Sequence, residues 1–171
     1  MDTITTQPTT VLIEDRIAIC DVIGRIGLHA DQREWAALEA CFDDQVTTDY
    51  VSLFGGDPVC QAKADLIAAW RSMLPGFDAT QHFVATTEVV MRDADHAIAR
   101  SNVRATHRLD DALWIVGGLY THELARTDRG WRATAMRFTL AFEEGDRNLV
   151  ARAAERAHSA ADDAARTGDS K

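Results

Sequence analysis

At Pro75-Gly76 the hydrophobic pattern of this chain changes its period, and that change limits the available folds more than any other feature. Upstream, Leu12, Ile13, Ile17, Ile19, Cys20, Val22, Ile23 and Ile26 recur at three- and four-residue spacing with no proline among them. This spacing predicts a core-facing helix ending near His29. Trp35, Leu38 and Phe42 predict a second, shorter helix, and Leu66, Ile67, Trp70 and Leu74 a third over Ala62–Leu74. Between them, Val46–Phe54 is rich in Val, Thr, Tyr and Phe and closes on Gly55-Gly56-Asp57-Pro58, so it reads as a strand ended by a turn.

Downstream of Gly76 the period is two. Runs at about Thr80–Met91, His96–Arg108, Leu113–Arg126 and Trp131–Glu143 are joined by short polar links such as Asp110-Asp111 and Asp128-Arg129-Gly130. Helices first and an antiparallel meander after predict an α+β domain, its N-terminal helices packed on one face of a curved, mostly antiparallel sheet. The expected boundaries are a flexible segment over 1–12, the domain over 13–150, and a polar tail over 151–171. That tail has no bulky apolar residue beyond Val150 to dock it, and disorder is expected from about Thr167.

Composition narrows the function. With 171 residues and 46% apolar content, the chain can bury one substantial core. Its 18 basic and 27 acidic residues leave a net charge of -9, which argues against nucleic acid and against an anionic membrane surface. Three cysteines, Cys20, Cys41 and Cys60, form no C-x-x-C pair, and Cys20 and Cys41, which lie inside helix-like patterns, read as buried apolar residues in a reducing cytoplasm. The Thr-rich N-terminus has no apolar core of a signal peptide, and no apolar run reaches the ~18 residues of a membrane span.

Strand parity selects the candidates for chemistry, because residues two apart share a face. His107 shares its parity with Ala97, Ala99, Val103 and Ala105, while Arg100, Asn102, Arg104 and Arg108 take the other face. His82 lies with Val84 and Thr86. Either imidazole has an ordinary alternative as a buried side chain satisfied by a carbonyl. Asp31, followed three residues later by Glu34, reads equally as the N-cap of the second helix. Tyr50 ends a strand with its hydroxyl at a rim, and Arg137 shares parity with Ala133, Ala135 and Thr139, either to stabilise an anion or to pair a carboxylate. His29, His96 and His122 fall at a helix end, in a turn and mid-strand, with no pattern to promote them. Gly117-Gly118 reads as a bulge or kink. The common nucleotide, zincin and serine-hydrolase motifs are absent from the sequence. A metal site from Asp31, His82 and His107 ranks below a metal-free pair, because no two of these ligands have the close spacing that usually fixes a metal.

Four stretches then form an ordered set: Asp31-Gln32-Arg33-Glu34-Trp35, Asp49-Tyr50-Val51-Ser52, Thr80-Gln81-His82-Phe83 and Thr106-His107, with the two histidines 25 positions apart. They resemble the Asp-x-x-Asp-Trp, Asp-Tyr-x-Ser, Thr-Gln-His-Phe and second-histidine segments of the scytalone dehydratases, a group within the SnoaL-like branch of the NTF2-like α+β cone fold. The resemblance runs from about residue 13 to 150. It departs at Ala30, where the family has a pocket tyrosine, and at Gly118 and Tyr120, where it has Ser and Asn.

The resemblance implies a cofactor-independent dehydratase acting on a small hydroxy-carbonyl ring compound. His82 would move the proton and Asp31 would orient its ring. Tyr50, His107, Tyr120 and Arg137 are the expected substrate contacts. It also implies a homotrimer and a hydrophobic or aromatic small-molecule partner. Isomerisation and epoxide or halide chemistry use the same pair. A non-catalytic ligand-binding module, with Asp31 only a helix cap, is the reading of a different class.

Overall fold

A computed structural model of the protein describes residues 12–168. The first helix, α1 (Ile13–Gln32), carries Glu14 and Asp15 in its first turn, where carboxylates complement the helix dipole. It runs past His29 and closes with Arg33 in the left-handed region at φ 60°. The Glu34 N–H donates to the His29 carbonyl at 2.9 Å and the Arg33 N–H to the Ala30 carbonyl at 3.3 Å, a Schellman closure without the usual glycine. This extra turn places Asp31 on α1. The alternative reading of Asp31 as an N-cap is therefore not the one that forms: Glu34, not Asp31, precedes α2 (Trp35–Glu39), and no described side chain caps that helix.

Phe42 is not on a helix face but opens strand β1 (Phe42–Asp49), and the expected strand over Val46–Phe54 ends early. Val51–Phe54 is a single helical turn, α3, entered through a bond from the Val51 N–H to the Asp49 carboxylate at 3.1 Å. A short strand, β2 (Val59–Ala62), precedes α4 (Lys63–Arg71), and a 3-10 turn at Leu74–Gly76 leads into the sheet. The first long run divides into β3 (Ala79–Val84) and β4 (Glu88–Met91). Then follow β5 (His96–Leu109), β6 (Ala112–Thr127), β7 (Gly130–Gly145) and a last helix, α5 (Leu149–Gly168).

The seven strands form one sheet in the order β2-β1-β7-β6-β5-β3, with β4 also on β5. All pairings are antiparallel except β1 on β7, so the sheet is mixed rather than a pure meander. Its curvature comes from two register shifts between β6 and β7. At one of them, a side chain on Gly117 would lie 2.1 Å from the Phe142 ring and one on Gly118 2.2 Å from the Thr139 carbonyl oxygen. At Gly118, where the neighbour is backbone, only glycine permits that approach, whereas at Gly117 the exposed Phe142 ring would have to swing aside.

The core fills the concave face, where Ile19, Ile23, Leu38, Phe42, Leu124 and Met136 are almost fully buried. The face predicted to be polar carries Arg100, Asn102, Arg104 and Arg108, all exposed. The tail docks by means the apolar pattern did not show. Leu149 and Ala153 are completely buried, and Ala153 packs so close to Gly76 that a side chain there would meet its carbonyl oxygen at 1.8 Å. Arg156 to Asp78 at 2.8 Å and Arg152 to Asp110 at 3.1 Å tie the exposed flank of α5 to the sheet. Expectations for residues 1–11 and 169–171 lie outside the described residues, whereas Thr167 and Gly168 belong to the helix.

Candidate active site

The last turn of α1 lies against β3, and the two elements bring Asp31 to His82. Asp31 Oδ1 accepts from His82 Nδ1 at 2.7 Å and Oδ2 accepts from the His82 backbone N–H at 2.7 Å. The Thr80 hydroxyl donates to Oδ1 at 2.9 Å. Burial pushes the Asp31 carboxyl up, but the hydrogen bonds and charge of His82, with the Thr80 bond, outweigh it and hold the group below the ordinary carboxylate range. An ionised carboxylate only accepts hydrogen bonds, so His82 carries its proton on Nδ1 and a neutral ring keeps its lone pair on Nε2.

Arg33 builds the frame around this pair, and sequence reasoning missed it. Its Nη1 donates to the carbonyls of Ala30 and Asp31 at 3.1 and 2.9 Å and to the Thr80 hydroxyl at 2.9 Å, and Nη2 donates to the Leu74 carbonyl at 2.7 Å. A non-glycine residue in the left-handed region costs roughly 1–2 kcal/mol. Here the guanidinium compensates by capping the end of α1 and joining it to β3 and to the 3-10 turn. Glu34 has no part in the pair: its carboxylate meets His29 Nδ1 at 2.6 Å.

His82 opens onto a cavity of about 440 Å³ between α1, α3, α4 and the concave sheet. Its wall is apolar, with Ile23, Ile26, Leu53, Met73, Trp114 and Phe138 prominent, and among the described residues no Asp, Glu, Lys or Arg lines it. His107 stands perpendicular to His82 with ring centres 5.7 Å apart, and its Nδ1–H donates to the Trp114 carbonyl at 3.3 Å. Burial first, and the neighbouring His82 second, push it down to about 4, so it is neutral at pH 7. His107 is thus both satisfied by a carbonyl and on the cavity wall.

Tyr50 and Tyr120 face the same space. Ser52 on α3 donates to the Phe138 carbonyl at 2.7 Å and accepts from the Leu140 N–H at 3.0 Å, which seats the short helix, and Tyr50 with it, on β7. Burial pushes both phenols up, so both remain protonated donors.

Arg137 is not brought in. It lies on the outer face, where its Nε donates to Asp49 at 2.7 Å, and it does not line the cavity. The expected parity fails because Thr134 is an extra residue in β7 between the pairs Leu124–Ala133 and Glu123–Ala135, which turns the side chains that follow, Arg137 among them, to the opposite face until the second register shift. His122, passed over in the sequence, does line the cavity. The inward alternation of Val116, Tyr120, His122 and Leu124 was the signal for it. Among the described residues, no group of three or more His, Cys, Asp or Glu side chains is arranged to hold a metal, and no helix is long and apolar enough to cross a membrane.

Helices laid over a strongly curved mixed sheet, with an apolar cavity between them, define the NTF2-like α+β cone. The chain belongs to the SnoaL-like family within it, because the family profile of the SnoaL-like domain matches residues 11–137. Among solved structures, the Kfla4162 protein from Kribbella flavida is 30% identical, with 85% of this chain and 97% of that one covered at a TM-score of 0.71. A scytalone dehydratase candidate from Novosphingobium aromaticivorans is 17% identical, with 79% and 92% covered at 0.65. A hexachlorocyclohexane dehydrochlorinase, LinA-type3 from Novosphingobium barchaimii, is 16% identical, again with 79% and 92% covered at 0.65. No curated protein matches the chain.

Proposed function

We propose that the protein is a cofactor-independent dehydratase that eliminates water from a small hydroxy-carbonyl ring compound. The observation that carries this reading is the 2.7 Å contact between Asp31 and His82 at the wall of an apolar cavity. His82 Nε2 takes the proton from the carbon next to the carbonyl, and Asp31 stabilises the imidazolium that results. The ring then returns this proton to the departing hydroxyl, which leaves as water while the carbon–carbon double bond forms. Tyr50 and Tyr120, as protonated phenols, donate to the carbonyl oxygen as it gains charge. Their presence favours a carbonyl substrate over a simple haloalkane. Isomerisation of such a carbonyl compound uses the same groups, and product analysis separates it from dehydration.

The test is a double-mutant cycle on the pair. His82→Ala and Asp31→Asn are each expected to lower turnover by roughly 10²–10⁴, and the double variant to lose little more than either. Additive losses would show two independent groups and end this mechanism. Full turnover is expected after exhaustive EDTA treatment. Loss that one added metal restores would replace the metal-free mechanism while leaving the fold in place. The proposed assembly is a homotrimer in the cytoplasm, and light scattering at micromolar concentration that finds only monomer removes the trimer.

A further inference from the structure

His122 is 1% exposed, and neither of its ring nitrogens has a hydrogen-bond partner among the described residues. It lines the same cavity as His82 but at a different level of the sheet. His82 is paired with Ala105, Ala105 with Val116, and His122 with Ala99, which puts His122 six residues along β6 from the row that holds His82. At about 3.3 Å per residue this is roughly 20 Å of strand path. Its nearest ring is Tyr120, edge-on with centres 5.4 Å apart, and its neighbour on β7 is Met136. A buried polar group without a partner is disfavoured, and an apolar side chain of similar size would fit this wall. The ring therefore points to a ligand.

We propose that His122 is a second polar anchor of the cavity, one that binds an uncharged oxygen substituent of the substrate away from the carbon at which His82 acts. This rests on the reading of the cavity as the binding site of an oxygenated ring compound. Two observations fix the chemical class. Burial pushes His122 down to about 4, so at pH 7 it is a neutral ring with one N–H donor and one acceptor. Among the described residues the wall carries no Lys, Arg, Asp or Glu, so a carboxylate or an ammonium there would meet no counter-charge from them. A hydroxyl, which both donates and accepts, is the group that a neutral imidazole satisfies best. The substrate class is then a neutral polycyclic or linked-ring compound with at least two oxygen functions, one at the reacting end and one at His122.

The probes are 2-naphthol and 2,6-dihydroxynaphthalene, equal in ring shape and different in one hydroxyl, titrated into the full chain with tryptophan fluorescence as readout. The unsubstituted protein is expected to bind the diol at least tenfold more tightly. His122→Leu is expected to bring the two affinities within about twofold, and to raise Tm because an unsatisfied polar group is gone. His122→Gln, with a donor and an acceptor, is expected to keep part of the preference. Asp31→Asn keeps all of it, which separates this proposal from the elimination mechanism: a chain with normal turnover in the His82 and Asp31 variants but a His122-dependent diol preference loses only the mechanism. Equal binding of both probes by the unsubstituted protein, binding of neither, or a preference that survives His122→Leu would overturn the proposal. Failure of His122→Leu to fold would also count against it, since that would show a ring held for protein contacts alone.

Discussion

His82 and His122 lie on one cavity wall and differ in every other respect. Around His82, Asp31 takes both the ring N–H and the backbone N–H, Thr80 braces the carboxylate, and Arg33 braces Thr80. Around His122 no described residue meets either nitrogen. A group that must hold one tautomer and one orientation through a reaction cycle needs such a frame, whereas a group that only receives a ligand works best with its bonding capacity left open. On the proposed reading, the braced end of the cavity serves the chemistry and the open end selects the substrate.

The double-mutant cycle on Asp31 and His82 is the largest expected break in this contrast, at 10²–10⁴ in turnover. Next is the pH dependence of stability. His107 and His122 are both held near 4 when folded, against about 6.5 for a free imidazole. Between these values the unfolded chain binds protons that the folded chain does not. Stability is therefore full above pH 6.5, falls as the pH drops toward 4, and levels off below it, by roughly 3 kcal/mol for each ring. Asp31 acts in a separate window: its depressed folded value keeps its contribution in place above the ordinary carboxylate pKa and loses it only as the pH falls through the lower folded one. Urea titrations from pH 7.5 to 4 should show the slope, and His122→Leu should remove about half of it. An unchanged slope in that variant would mean that His122 is solvated or paired in solution.

The sequence reveals the parts of this molecule that depend on local alternation. The long strands β5 and β6 follow the period-two pattern to within two residues, and His107 faces inward as its parity requires. Asp31 and His82 were legible as an ordered set of short segments. What stayed hidden are features set by non-local geometry. One inserted residue, Thr134, reverses the face of Arg137. The parallel pairing of β1 with β7 joins segments about 90 residues apart and leaves no mark on either alone. Arg33 adopts a conformation usually left to glycine, so the end of α1 carries no stop signal. Ala153 docks α5 by being small, which a search for bulky apolar residues overlooks.

A smaller effect is expected from Arg33 itself. Arg33→Met retains most of the apolar stem and removes four hydrogen bonds that fix Thr80, the end of α1 and the 3-10 turn. Since the guanidinium touches the frame and not the cavity, the expected loss is about tenfold in turnover with KM little changed, alongside roughly 1–3 kcal/mol of stability. A KM effect without a kcat effect would place Arg33 in substrate binding instead.

The least effect is expected from the other arginine near these segments. Arg137 is well exposed on the outer face, and its pair with Asp49 at 2.7 Å has water on one side. Exposed pairs of this kind contribute about 0–1 kcal/mol, because solvent screens the attraction and a long side chain must be held in place. Asp49 also accepts the Val51 N–H that opens α3, so its carboxylate stays engaged when the guanidinium is removed. Arg137→Ala should therefore leave turnover within about twofold and shift stability by less than ~1 kcal/mol. The contrast with Arg33→Met is informative because both residues sit one or two bonds from a predicted site segment. A large loss of turnover in Arg137→Ala at unchanged stability would mean that the chain past Thr134 can turn this side chain inward, and that the bulge is a switch between two registers of β7 and not a fixed bend.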